Sequence, residues 1–456
     1  MAGTKLKTAA AGVAALLVAA GTIVLLAPAT SKKFSRHQTL ADGSTLTLTR
    51  VELNTRIDHP YLSKGSRVDQ WLRTVLPDSF VNKLRLNRWS GGFALPAFDG
   101  ATNLFLHTMH EARNGQSAIA IDRIQVADDD GSTFDGMFAA STAGSPGDQM
   151  RAWRLYAFPR RSRRLTLRFF YSTPDSTWVT AAEMVIPNPA PGPYPSWSPD
   201  SIPAVRTNGD LVVTLTAFEA GAPQQDIPAF KTSSWNGLPG TRATFAIRQT
   251  GKAVAPWQVR WLQLSDPTGN RWRPGDFLCR VEPGPEPRLV ASMLGALWAS
   301  EPAWKLRVEL SRTNDFATNE LLTLPNISVP ELGEVVPLNQ SHEINGVAID
   351  VSLLAGTDAE LPQPYKWYRH EGEMNFALSV KEEVDDKRLD LVRVQDDRGR
   401  PVPFDEAYWA RDFTNRVFGL MPAPDARSLS FTLAVHPSRF VEFLAQPRQV
   451  TPMAAK

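Results

Sequence analysis

The residues best suited to chemistry are a close histidine pair, an acidic run and one cysteine. His107 and His110 lie in a segment, Asn103 to His110, whose apolar content reads as a strand. At i and i+3 on a strand the two imidazoles face opposite ways and cannot share a metal ion. Asp128, Asp129, Asp130 and Asp135 have the carboxylate density of a calcium loop. An EF-hand register would put Val126 at the first ligand position, so that motif fails, and a looser calcium site in a turn stays open. Glu382, Glu383, Asp385 and Asp386 read as a solvated hairpin edge ahead of Leu389 and Leu391, since glycosidase chemistry would need a spatial pairing of two carboxylates. Cys279 is the sole cysteine, which excludes an intramolecular disulfide and any Cys-based metal cluster, and it reads as a small buried apolar residue. Gly-x-Ser-x-Gly, the phosphate-binding glycine loop, His-Glu-x-x-His and Cys-x-x-Cys are all absent from the sequence. No catalytic, metal-binding or cofactor-binding residue is assigned, and no cofactor is expected.

Aromatic and basic residues are the remaining candidates. Trp257 and Trp261 keep strand parity with Val259 and read as core. Trp197 and Trp235 stand among Pro, Ser, Asn and Gly, where an indole could stack on a sugar ring, anchor a protein interface, or simply cover a loop, the last being preferred. Arg160, Arg161, Arg163 and Arg164 crowd a proline turn at Pro159. Such a run is commonly a solvated tip, yet beside a membrane each cation is worth about 1 kcal/mol toward anionic head groups.

The elements that hold these residues follow a repeat. The pattern apolar-x-apolar-x-Asp-x-x-Gly occurs at Ile124 to Gly131, Leu262 to Gly269 and Val392 to Gly399. Alternation of period two is a half-buried strand, and Asp-x-x-Gly is a tight turn in which glycine supplies positive φ and the aspartate accepts backbone amides. The structural-turn residues are therefore Asp128, Gly131, Asp266, Gly269, Asp396 and Gly399. Each copy follows a glycine-led strand at Gly43, Gly209 or Gly346 and precedes an alternating strand at Leu165, Leu306 or Leu429. The motif glycines are roughly 130 residues apart, which suits an immunoglobulin-sized sandwich of ~100 residues plus loops.

Between the copies, residues 187–205 hold seven prolines within 186–205 and read as a stiff Pro-rich linker, and residues 331–340 as a second linker. The spacing predicts sandwiches over 36–186, 206–330 and 341–448, with a tail at 449–456. In the first, Val68, Trp71, Leu72, Val75 and Leu76 form a helical stripe that Pro77 ends, so a helical hairpin is expected over about 66–86. It would leave Arg67, Arg73, Lys83, Arg85 and Arg88 outward, joining the Arg160–Arg164 turn as a basic docking surface for anionic lipid or an acidic partner.

Residues 1–35 hold an uncharged run from Ala9 to Ala27 flanked by Lys5, Lys7, Lys32 and Lys33. Its length approaches the ~20 residues that cross a bilayer and exceeds the ~7–15 of a secretory core. A retained transmembrane anchor is preferred over a cleaved signal or a buried helix, placing residues 9–27 in the lipid bilayer and the bulk of a single-pass protein outside the cytoplasm. Lys and Arg against Asp and Glu number 20 and 15 over 32–186, 13 and 12 over 187–330, and 14 and 20 over 331–456. The formal net charge is only +2, which gives no nucleic-acid footprint.

Together the anchor, the repeat and the linkers resemble bacterial membrane-anchored envelope proteins with tandem immunoglobulin-like or fibronectin-like modules. The resemblance implies an all-β chain of three tandem sandwiches behind one transmembrane helix, and it carries over no functional residues. The expected function is a non-catalytic, protein-binding or self-associating stalk. A carbohydrate-binding envelope protein with a glycan partner, and an enzyme with a dispersed site, are the alternatives.

Overall fold

The computed structural model describes residues 32–54, 102–112, 119–143, 149–173, 177–223, 239–252, 256–272, 277–282, 288–295, 297–298, 300–380, 386–406 and 415–450. Among them the chain is nearly all β, in several largely antiparallel sheets, with short 3₁₀ turns at Thr318–Glu320 and Tyr365–Tyr368 and no α-helix. No described helix is long and apolar enough to cross a membrane. The expected anchor at 9–27 and the expected helical hairpin at 66–86 lie outside the described residues.

The first eight strands are β1 (Lys32–Thr39), β2 (Thr45–Asn54), β3 (Asn103–Glu111), β4 (Ile121–Ala127), β5 (Thr133–Ala143), β6 (Gln149–Leu155), β7 (Arg164–Ser172) and β8 (Trp178–Pro187). They run in the order β1-β2-β3-β6-β5-β4-β7-β8. β5 changes partners along its length: Thr133 to Gly136 pair with β4, and Met137 to Ala143 with β6. Gly136 sits at the change, where an added Cβ would lie 2.6 Å from the Ile124 side chain, so only glycine allows the strands to approach this closely. Leu46 and Leu48 face the core, and a register shift between Leu48 and Arg50 brings Val51 in behind them. The two outer edges approach, the Glu183 amide donating to the Gln38 side chain at 3.1 Å.

The middle strands are β9 (Ala204–Asn208), β10 (Leu211–Pro223), β11 (Pro239–Gln249), β12 (Trp257–Ser265), β13 (Arg271–Trp272), β14 (Phe277–Glu282), β15 (Arg288–Leu294) and β16 (Trp304–Arg312). The last are β17 (Leu321–Ser328), β18 (Val335–Ile344), β19 (Val347–Ala355), β20 (Met374–Val380), β21 (Lys387–Asp396), β22 (Phe404–Glu406), β23 (Asn415–Leu420), β24 (Ser428–Pro437), β25 (Arg439–Ala445) and β26 (Arg448–Gln449). The sheets β17-β24-β21 and β18-β19-β20-β23-β22 face each other across one core that includes Phe376, Phe418 and Phe431.

The connectivity departs from a simple tandem. β25, which the sequence spacing assigns to the third unit, pairs antiparallel with β16 of the middle sheets, and β26 lies parallel to β10. Val441, Phe443 and Ala445 are buried in the middle core. The last sheets are thus inserted between two neighbouring strands of the middle sheet β13-β12-β16-β25. Gly221, at φ +86°, makes room for the returning chain, since a Cβ there would stand 2.6 Å from the Val450 carbonyl.

The prolines read as a linker at 331–340, and those just before it, have another physical origin. Pro325 lies on β17 beside a register shift between Leu324 and Ile327, and Pro337 lies on β18 at a shift between Pro337 and Gln340. Both strands are sheet edges, where a missing amide costs no ladder bond. The run 188–203 contains no strand, but it is fastened. Asn188 donates to the carbonyls of Arg160 (2.8 Å) and Ser162 (2.6 Å), the Tyr194 hydroxyl to that of Ala190 (2.6 Å), and the Asp200 amide to that of Leu444 (2.7 Å).

Because β25 completes a sheet begun far upstream, its apolar face is required for the middle core. Phe443 is 1% exposed and lies 6.0 Å from the Phe245 ring. Phe443→Ala is expected to cost about 3–5 kcal/mol, read by urea unfolding with tryptophan fluorescence. A loss below about 1 kcal/mol would mean that β25 is dispensable.

Candidate functional site

The three Asp-x-x-Gly turns share one hydrogen-bond pattern. The glycine amide donates to the aspartate carbonyl at 3.2, 3.2 and 2.9 Å for Gly131, Gly269 and Gly399. Each aspartate Oδ1 accepts two further amides: Asp130 and Ser132, then Thr268 and Asn270, then Arg398 and Arg400, all between 2.8 and 3.0 Å. The glycines have φ of +82°, +96° and +75°. The strands behind the turns also keep one register, Val126 opposite Leu167, Leu264 opposite Leu306 and Val394 opposite Phe431.

What surrounds the turns differs. Arg160, from the loop before β7, reaches across to the middle turn, where its guanidinium donates to Asn270 Oδ1 (3.1 Å) and the Thr268 carbonyl (3.2 Å). It also donates to the Thr102 carbonyl (2.7 Å) and stacks on the Phe158 ring at 5.1 Å. Asn270 donates in turn to the Phe158 carbonyl at 2.9 Å. In the opposite direction Ser300, from the loop before β16, donates to Asp128 Oδ2 at 3.3 Å. Each turn is therefore met by the other unit's loop. Phe134 packs edge-on against Trp272 at 5.1 Å and Trp298 at 5.7 Å, which joins the two cores. Arg161 pairs with buried Glu301 at 2.9 Å and also donates to the Pro195 carbonyl.

The arginine run therefore does not form one outward basic surface. Arg160 is buried, Arg161 is half-buried against Glu301, and only Arg163 and Arg164 are exposed. Arg67, Arg73, Lys83, Arg85, Arg88 and Trp235 lie outside the described residues. Trp197 is half-buried, with the Lys305 ammonium 5.6 Å from its ring. Asn270 and Glu301, which complete the junction, carry no sequence signal beyond Asn270 following the turn glycine. Burial shifts the acids accordingly. It raises Asp128 and Asp266 above the ordinary carboxylate range against the hydrogen bonds they accept. In the third turn desolvation is outweighed by the Arg400 and Arg398 amides and the Arg400 side chain, and Asp396 is lowered.

A second junction joins the middle and last sheets. Buried Glu309 on β16 lies 2.7 Å from Arg388 and accepts from Ser438 at 2.7 Å. Asp390 on β21 pairs with Arg260 and lies 2.8 Å from His436 Nε2. Burial opposes ionisation of Asp390, but the Arg260 charge, the His436 contact and the Arg416 charge outweigh it and hold the carboxyl well below its ordinary range.

Two groupings have the composition of a nucleophilic triad and not its order. Ser311 Oγ (3.4 Å) and Asp390 Oδ2 (2.8 Å) both lie at Nε2 of His436, whereas a relay needs them on opposite ring nitrogens. Ser311 and His436 are also 0% exposed. In the other, Ser44 Oγ lies 2.5 Å from Asp42 Oδ1 and 2.8 Å from His110 Nε2, so the acid sits on the serine and not on the far nitrogen of the imidazole, where a relay would need it. His107 turns instead to Glu52 at 3.1 Å. Among the described residues no group of three or more His, Cys, Asp or Glu side chains could hold a metal ion. Burial pushes the Cys279 thiol up to about 11, the opposite of activation.

No family model matches the chain. No curated protein matches it. Among solved structures it is similar to a conserved domain protein from Bacillus anthracis at 8% identity, covering 65% of this chain and 82% of that one, with a TM-score of 0.22. A likeness this low carries no argument.

Two predictions follow from the junctions. Alanine at Gly131 or Gly399 meets nothing within 4 Å and should cost only the backbone strain of positive φ, about 1 kcal/mol. At Gly269 the new Cβ would also stand 3.2 Å from the Arg160 guanidinium. Gly269→Ala should therefore be the most damaging of the three in thermal unfolding, and equal losses would mean that Arg160 does not dock there. Asp390→Asn should destabilise the chain by about 3 kcal/mol at pH 7. A lowered folded-state pKa contributes stability above the unfolded value, near 3.9, and loses it as pH falls further. The gap between wild type and Asp390→Asn should then close below about pH 4, and a pH-independent gap would contradict this assignment.

Proposed function

We propose that the chain is a non-catalytic protein of the cell envelope, anchored by residues 9–27 as a single membrane pass, with immunoglobulin-like sandwiches forming an extracytoplasmic, protein-binding array. The carrying observation is where its buried polar groups lie. Arg160, Glu301, Glu309, Arg416 and His436 are each at most 7% exposed, and their partners are residues of this chain at or beside the places where sheets meet. Side chains so placed join sheets and turn over no substrate. Specific sheet-to-sheet docking of this kind serves a chain whose work is to hold surfaces in fixed relation.

Protein binding is better supported than sugar binding, because the Trp197 ring is held beneath Lys305 and does not stand as an open stacking platform. Protease added to intact spheroplasts is expected to digest the residues after 35, while the chain sediments with membranes and resists extraction by high salt. Deleting residues 9–27 should release it to the soluble fraction. Full protection of the sheets would overturn the orientation, and a soluble wild-type chain would overturn the anchor.

A further inference from the structure

The first and middle turn-ends bury each other, and the last turn-end repeats their design with no such cover among its described contacts. The loop before β24 has the same turn as the loop before β7: the Ala426 amide donates to the Ala423 carbonyl at 3.0 Å, as Ser162 does to Pro159 at 3.3 Å. Thr166 faces Ala127, and Ser430 faces the equivalent Gln395. This register sets Met421 at the position of Ala157, Pro422 at that of Phe158 and Asp425 at that of Arg161. Ala157 and Phe158 are 0% exposed in the docked copy, while Met421 is 53% exposed. An apolar side chain thus stands in water where the internal pair keeps one dry.

The charges around Met421 fit a particular partner. Arg398 and Arg400 on the turn pair with Asp425 on the loop, the latter at 2.6 Å from Arg400, and all three side chains are 40–54% exposed. Turn cations beside a loop anion form a self-complementary surface, since a second copy turned about a two-fold axis presents its anion to the first copy's cation and the reverse. Exposed ion pairs are worth little in place, so exchanging them between copies costs little. We propose that this turn-end docks on the same turn-end of a second copy of the chain, with Met421 at the centre and Arg398 and Asp425 paired across the contact. The proposal rests on the reading of the chain as a protein-binding array and names its partner.

The test uses the full chain in detergent. Met421→Cys should be captured as a covalent dimer by a short bis-maleimide, at least tenfold more than Leu332→Cys, whose site is 76% exposed elsewhere, and than the unaltered chain with its half-buried Cys279. Asp425→Arg and Arg398→Asp should each lower the dimer fraction in sedimentation at least tenfold without moving the thermal transition. An equimolar mixture of the two should dimerise again, because the new cation at 425 on one surface then meets the new anion at 398 on the other. Equal cross-linking at both cysteines, dimers that persist in Asp425→Arg, or a monomeric wild type at every concentration would each overturn the proposal. A monomer that still sediments with membranes and is still shaved by external protease loses only the self-docking, while failure of fractionation and shaving would strike the anchored reading itself.

Discussion

The arrangement rests on one stretch of backbone. β24 ends at Pro437 and β25 begins at Arg439, with only Ser438 between them, so one nearly continuous strand belongs first to the last sheets and then to the middle ones. A single residue leaves no slack for a hinge. The Ser438 amide is also tied to the Asp386 carbonyl at 2.7 Å and its hydroxyl to Glu309. The forward connection, residues 313–320 between β16 and β17, is a second tether at the same junction. Two crossings restrict relative rotation far more than the single linker of a bead-like chain, and the Asp390, Arg260 and Glu309 contacts act on parts already held close together.

The first junction achieves the same restraint with side chains. Only residues 188–203 connect β8 to β9, yet Arg160, Arg161, Asn188 and Asn270 fasten the two sides and the linker itself. Enclosing a guanidinium away from water carries a desolvation cost, and its charge is held against that cost by several directed acceptors. Such contacts add little net stability compared with apolar packing. They are exacting about geometry, however, because a small displacement leaves a charge buried without its partners. Phe134, Trp272 and Trp298 supply the apolar area, and Arg160 fixes how it is used.

The local parts of this organisation were legible in the sequence and the non-local parts were not. Period-two alternation and Asp-x-x-Gly turns are written within eight residues, and the glycine φ and aspartate acceptors sit where those residue types demand. Whether Arg160 turns outward to lipid or inward to Asn270 depends on a residue more than a hundred positions away, and a run of like charges reads the same either way. Pro325 and Pro337 mark edge strands at bulges as readily as they mark linkers, because both settings spare the amide. The insertion of the last sheets was invisible for a related reason: β25 alternates as any strand does, and alternation does not say which strand it will join.

That return of the chain has a consequence for how the protein is made. The middle sheets start at Ala204, but their β16 edge stays open until Arg439 to Ala445 have been synthesised. The last sheets, whose described strands from β17 to β24 are all encoded before that point, can close first. At ribosomal rates of about 5–20 residues per second, the nascent middle sheet waits on the order of ten seconds with the β25-facing edge of β16 open. Its closure then serves as a length check on the chain, since a product truncated within the last sheets leaves a bare strand edge and an apolar groove for quality-control proteases to find.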